Sequence, residues 1–514
     1  MSTAAATKGL TSTAPARSAI QRFPTELLCE ILLYAYAAQD DEPCAHPPLL
    51  VALHSFRGWR LAAMTMRHLF VRIRTASAEL AELYIRCSDG LSFTLELLPR
   101  HANSSAVLDP RDIMRHSDTT VILKHLWDGR DLGRLTSLAI HDVQPVDLYT
   151  LAADNPMVAP ASLTHLTLAL SRFYEDACTP LHLETFLMRL PFVRSLQLER
   201  FSVPWRCNLY TRLTKLALHN VAFPSNDFIH LLDVLSQCPA LEYLSLRTIA
   251  FEVVLEEPLE IFVRLEYLEE LNIVGLSSET VLVLTHVIKA PFVCFTGMHS
   301  LMPDETLSSV FPTWDEARSR FRSLGQAWAL YLYADQLPAK MGFRAARGGE
   351  ADQDVVDMTF EAWSPTDLYL APRLLKRLWR TIRFPALRYL SLFGVANTSL
   401  FSTRVLLAFL QHHPDLTALQ LTQCCSDIVN LLLIPSFCPA LEILTLEGCE
   451  LDGDTLLKLA RSRQKAGRRL SLLNVTPLQP EDEWCLQHVR ECVKRLDVWG
   501  IDEDEDTEQD DEDA

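Results

Sequence analysis

The sequence predicts an α/β protein in which short parallel strands alternate with helices in a repeated unit, behind an N-terminal helical module. Three observations predict it. Residues 441–451 read L-x-x-L-x-L-x-x-C-x-L, a pattern in which evenly placed apolar side chains fill a strand and the bend after it. Its first half recurs from Leu135, Leu163, Val193, Leu213, Leu241, Leu268, Leu387, Leu416, Leu441 and Val493, with a degraded copy at Gly467. Between copies, apolar residues fall at helical spacing, as at Phe228, Leu231, Leu232 and Leu235, and prolines 191, 239, 414 and 439 end these stretches before the next strand.

The copies follow one another at 20 to 30 residues, apart from one gap of 119. This pattern resembles the leucine-rich repeat, which implies a curved solenoid with a parallel sheet on its concave face. Repeat positions 1, 4 and 6 are then buried and positions 3, 5 and 7 form the outward surface. Three worn copies in the gap, at Phe292, Ala327 and Val355, would carry the array unbroken from about Leu135 to Ile501. Residues 300–366 read as an irregular insertion, with one or two helices around Pro312 and an exposed loop over 344–354.

Residues 20–32 (IQRFPTELLCEIL) place a proline and an acid at a helix start, followed by the apolar stripe Leu27, Leu28, Ile31 and Leu32. After a loop with prolines at 43, 47 and 48, a second helical stretch covers 49–73 around Trp59-Arg60-Leu61-Ala62-Ala63. The F/L-P-x-E-L-L-x-E-I opening, W-R-x-x-A and the following L-F-x-x-I resemble an F-box, as found in fungal-type F-box proteins with C-terminal leucine-rich repeats. Phe23, Met66 and Phe70 depart from the residues commonest there, and the loop is longer than usual. The resemblance implies docking on a Skp-type adaptor, and through it on cullin and RING subunits of an SCF-type ubiquitin ligase. The residues it assigns to docking are Phe23, Pro24, Glu26, Leu27, Leu28, Ile31, Leu32, Trp59, Leu61 and Phe70. Residues 83–97, with Arg86-Cys87-Ser88, a turn and then the alternating strand Leu91, Phe93, Leu95 and Leu97, are similar to the segment joining such a module to its repeats.

The expected organisation is a disordered leader over 1–19, the F-box-like module over 20–75, and a linker and cap over 76–131. The repeats follow over 132–501, and an acidic disordered tail over 502–514. Net charge is −18, but residues 502–513 hold ten acids and no base, which leaves −8 on the rest. Such a body is not expected to bind nucleic acid or anionic membrane through net charge. The 13 cysteines include no C-x-x-C pair, no secretory h-region is visible and no run reaches membrane-spanning length. Free thiols and a cytoplasmic or nuclear location are the expectation.

No nucleotide-binding, nucleophile-elbow or zinc-protease motif occurs, so the chain is expected to be non-catalytic and to need no cofactor. His412-His413 is read as a helix end, Cys424 and Cys449 as structural thiols, and Lys376, Arg377, Arg380 and Arg383 as a solvated helix face. A protein substrate is expected on the outward strand positions, through Lys215, Tyr243, Arg247, Tyr389, Phe393, Arg495 and Trp499. Two other readings stand beside this one. The first is a repeat scaffold without a ligase role. The second is a solenoid resembling the GTPase-activating protein for Ran, which also joins leucine-rich repeats to an acidic tail.

Overall fold

The structure is a computed structural model. It describes residues 24–37, 53, 57–75, 77–98, 118–128, 130–143, 160–170, 190, 192–200, 205, 210–221, 227–251, 262–335, 340–348, 353–362, 370, 374, 384–394, 403–449, 451–476 and 483–499. The expected leader, the acidic tail, Phe23, the helix before Pro191 and the basic run 376–383 lie outside the described residues. Among the described residues the chain is mixed α/β, with eleven α-helices and a large, mostly parallel sheet. It divides into two compact units, Met1–Arg172 with Arg189–Phe192, and Phe173–Met188 with Val193–Ala514.

The first unit begins with helices α1 (Thr25–Ala37) and α2 (Arg57–Thr65), which pack on each other. A single 3-10 turn, Arg67–Phe70, leads into β1 (Arg72–Thr75). The helix expected over 49–73 therefore stops at Thr65. Met66 leaves helical geometry (φ −99°, ψ 72°), and Ile73, buried, pairs in register with Leu95 as a strand residue. Helix α3 (Ala78–Cys87) is capped by Ser77, whose hydroxyl accepts from the Leu80 amide, leaving one fewer orphan donor at its N-terminus. Then come β2 (Phe93–Leu97), α4 (Asp118–Asp128), β3 (Leu135–Val143) and β4 (His165–Leu170). Strands β1 to β4 pair in parallel in chain order.

The second unit carries β5 (Ser195–Glu199), β6 (Lys215–His219), α5 (Asp227–Ser236), β7 (Tyr243–Arg247), β8 (Val263–Arg264), β9 (Glu270–Val274), α6 (Ser278–Val287), β10 (Ile288–Lys289) and β11 (Cys294–Leu301). After α7 (Trp314–Arg320) come β12 (Ala329–Asp335), β13 (Lys340–Arg347) and β14 (Gln353–Ala362). The chain continues through β15 (Tyr389–Phe393), α8 (Thr403–His412), β16 (Ala418–Thr422), α9 (Ser426–Leu431), β17 (Ile443–Glu447), α10 (Gly453–Lys465), β18 (Leu472–Val475), α11 (Glu483–Cys492) and β19 (Leu496–Val498). Strands β5, β6, β7, β9 and β11 pair in parallel in that order, as do β15 to β19. In each unit the sheet is not curled.

The repeated leucines make the core. Leu216, Leu244 and Leu271 form one in-register ladder, Leu218, Leu246 and Ile273 another, and all six are fully buried. Each such side chain contributes about 1.5–3 kcal/mol relative to exposure. At seven of the bends, repeat position 8 turns left-handed whatever its residue: Arg200, Asn220, Thr248, Gly275, Gly394, Gln423 and Gly448 all have positive φ. The amide at that position donates to the next strand, as from Thr248 to the Val274 carbonyl at 2.7 Å. The bend, more than the leucines, fixes where one strand ends and the chain turns away.

Two expectations are corrected here. The copy placed at Gly467 begins three residues later, because Leu470, Leu473 and Val475 are the buried set and Val475 pairs with Leu446. Gly467 (φ +73°) instead follows the last turn of α10, where a left-handed residue closes the helix. Of the expected exposed loop over 344–354, the described residues 344–347, 353 and 354 are strand. Residues 340–347 form β13, with Met341, Phe343, Ala345 and Ala346 buried.

Strands β12, β13 and β14 form an antiparallel meander, and the spatial order is β11, β14, β13, β12, β15. The worn copies at Phe292, Ala327 and Val355 do lie at strands, yet they do not follow one another as successive repeats. Antiparallel pairing lets the insertion enter between two parallel blocks while the outer strands β14 and β12 stay parallel to their neighbours.

Candidate functional site

Two surfaces gather the residues singled out in the sequence, one in each unit. In the first unit, α1 leaves Leu27 (46 % exposed), Ile31 (43 %) and Tyr34 (81 %) uncovered at i, i+4 and i+7, so they share one face of the helix. Helix α2 leaves Leu61 (53 %) and Met64 (52 %) uncovered. Pro24 and Glu26 are exposed at the α1 N-terminus, where the Pro24 carbonyl accepts the first helical bond from the Leu28 amide at 3.2 Å. Trp59 is half-buried.

Three of the expected docking residues, Leu28, Leu32 and Phe70, lie inside the helical module and not on its surface. All three are buried, and the Phe70 ring meets Tyr84 of α3 edge-on at 5.3 Å. Packing explains the difference: a stripe of Leu27, Leu28, Ile31 and Leu32 is wider than one helix face, so half of it turns inward with Ala62 and Ala63.

In the second unit the outward side chains align across the sheet by register. Lys215 stands beside Tyr243, and His219 beside Arg247. Burial, followed by the Arg247 charge, holds the His219 pKa below the usual imidazole value, so the ring is neutral and shares a 3.2 Å hydrogen bond with the Ser245 hydroxyl. Tyr389 and Phe393 lie on β15, six strands from Tyr243, or about 29 Å at a strand spacing near 4.8 Å. Arg495 pairs with Asp497 at 2.9 Å near Trp499, four strands further. The seven expected contact residues therefore form three separate clusters.

The densest cluster includes residues not singled out from the sequence. Trp328 stacks on Tyr389 with centroids 6.0 Å apart and planes 9° apart, and Tyr331 meets the same ring at 5.4 Å. The Arg344 guanidinium lies 5.6 Å from the Tyr331 ring and is tied to Asp354 at 2.5 Å, which raises the arginine pKa. The Tyr389 hydroxyl donates to Gln420. Burial and the Asp354 charge push the Asp357 carboxyl up, against the pull of Arg344. Gly342 makes part of this arrangement possible: a Cβ there would lie 1.9 Å from the Tyr333 ring, which crosses β13 so that its hydroxyl meets Thr359 Oγ1 at 2.6 Å.

Tyr331 and Tyr333 occupy positions 5 and 7 of the worn copy at Ala327, and Asp357 occupies position 3 of the copy at Val355. The outward rule applied to those copies would have found them. Arg344 had no such signal, because its strand is not a repeat.

The thiol of Cys294 is pushed up to about 11 by burial and by Asp354, Glu270 and Asp357, which keeps it protonated and a poor nucleophile. Cys424 and Cys449 donate to the carbonyls of Leu392 and Leu421, one strand back in each case. Burial lowers the His413 pKa to about 4. Among the described residues, no group of three or more His, Cys, Asp or Glu side chains is placed to hold a metal ion, and no helix is long and apolar enough to cross a membrane. No protein-family model matches the chain, and no curated protein matches it.

Proposed function

We propose that the chain is a substrate-recruiting, F-box-like subunit of an SCF-type ubiquitin ligase. In this reading the helices at residues 24–65 bind a Skp-type adaptor and the outward face of the leucine-rich repeats holds a protein substrate. The observation that carries it is the uncovered apolar row Leu27, Ile31 and Tyr34 on α1, together with Leu61 and Met64 on α2. A helix pair that served only to cap a repeat array would place such residues against the array; left in water, they mark a binding surface. Burial of Leu28, Leu32, Ala62, Ala63 and Phe70 supplies a rigid platform beneath them.

The substrate side rests on Trp328, Tyr331 and Tyr389, a group of rings with polar neighbours at Gln420 and Arg344, and on exposed Phe393 at the other end of β15. Aromatic and arginine side chains dominate binding energy at such surfaces. The chain performs no bond chemistry in this role. It raises the local concentration of a substrate lysine beside the charged conjugating enzyme, with cullin and RING subunits as the remaining partners and the cytoplasm or nucleus as the setting. Co-purification with a Skp-type adaptor tests it: the wild-type chain is retained, and substitution of Leu27 and Ile31 by Asp abolishes retention.

A further inference from the structure

A second surface of the sheet unit carries chemistry that adaptor and substrate docking do not use. Strands β8 and β10 pair in parallel with Arg264 directly beside Lys289. Alternation buries Val263, Leu265, Ile288 and Ala290 and turns both cations outward. The chain after α7 is stitched to the same place, since the Ala290 amide donates to the Arg320 carbonyl at 3.1 Å and the Ser323 amide to the Pro291 carbonyl at 2.9 Å. Arg322 is thereby brought to the other two.

The three cations line a cavity of about 350 Å³ with Glu266, Tyr267 and Phe292. Among the described residues none of the three makes an ion pair. Like charges on adjacent strands, about 4.8 Å apart, repel each other, so the arrangement is unfavourable as it stands and is relieved by an anion.

The aromatic rim is equally unusual. Tyr267 (67 % exposed) and Phe292 (62 %) occupy the turns just before β9 and β11. At the repeat beginning there, Val293 takes the buried place that Leu268 fills one strand earlier, and Phe292 stays outside. Rings beside paired cations offer a planar group a stacking surface while the cations hold a phosphoryl group. Glu266 supplies one acceptor for a hydroxyl or amino group.

We propose that this cavity is a mononucleotide site, taking a single phosphate monoester on Arg264, Lys289 and Arg322 and a planar base against Tyr267 and Phe292. Its size sits at the low end of the roughly 300–1,000 Å³ of small-molecule pockets, which suits one nucleotide. A nucleic-acid strand is disfavoured by the net charge of −18, which repels a polyanion but little affects one phosphate held by three cations. The site goes beyond the ligase reading and is independent of it.

Calorimetric titration of the full chain with adenosine 5′-monophosphate, adenosine and inorganic phosphate tests the proposal. The monophosphate is expected to bind at least about tenfold more tightly than either fragment. Arg264→Gln with Lys289→Gln should bring its affinity down to that of adenosine, and Tyr267→Ala down to that of phosphate. Thermal midpoints should not fall, because these side chains are exposed, and the double variant should gain slightly from the lost repulsion. The proposal is overturned if none of the three binds, if the monophosphate binds no more tightly than a fragment, or if the double variant binds it like wild type.

Discussion

Trp328 and Tyr389 stack with planes 9° apart, and they belong to different parts of the architecture: one precedes the meander and the other opens the next parallel block. The contact joins an inserted element to the regular repeats on the face proposed to hold substrate. A double-mutant cycle with Trp328→Ala and Tyr389→Ala should give a coupling of about 0.5–1.5 kcal/mol in urea unfolding. Additive effects would mean that the stack does not fasten the meander to the block beside it.

Position 8 of the repeats offers a stabilising change. Thr248 is β-branched, exposed, and held at φ 50°, where L side chains crowd the following carbonyl. Thr248→Gly should raise stability by about 1 kcal/mol, read as a higher thermal midpoint. The same change at Thr445, which lies within β17, should lower it.

How far these features were legible depended on whether they obey the repeat. Buried leucines at positions 1, 4 and 6 mark the strands, and the same periodicity in the worn copies marks Tyr331, Tyr333 and Asp357 as outward. Strand β13 was hidden for a physical reason: Lys-Met-Gly-Phe-Arg-Ala-Ala-Arg holds small residues at 342 and 346, and a register shift between Ala345 and Ala346 breaks its alternation. The apolar face of α1 was legible as a stripe, but its division into Leu27 and Ile31 outside and Leu28 and Leu32 inside needed α2 in place.

Arg463 is a buried cation whose work is structural. It is fully buried in α10 and donates to the carbonyls of Cys438 at 3.3 Å and Phe437 at 3.1 Å, holding the turn before β17. Arg463→Ala removes both donors and leaves a cavity, and should destabilise by about 3 kcal/mol by urea titration. Arg463→Lys should recover only part of this, since an ammonium lacks the planar fork that reaches two carbonyls.

Stability should fall in mild acid. His299 is fully buried without a hydrogen-bond partner on either ring nitrogen, and burial lowers its pKa to about 4; His413 is lowered to about 4 by burial and then by His412. Both folded values lie below the unfolded value near 6.5, so the contribution is complete above about pH 6.5 and is lost as pH falls towards 4. In that window each histidine weakens the fold by up to about 1.4 kcal/mol per pH unit. Urea midpoints at pH 7.5 and 5 should differ less for His299→Leu than for wild type. An unchanged difference would mean that His299 takes up its proton without leaving the core.

The central claim concerns the helices at residues 24–65, and the most direct measurement is adaptor binding by the full chain. Immobilised Skp-type adaptor should retain wild type, while Leu27→Asp with Ile31→Asp, or Leu61→Asp, should lose retention with little change in thermal midpoint, because these side chains are already in water. Failure of wild type to bind, or binding by all the variants equally, would contradict the account.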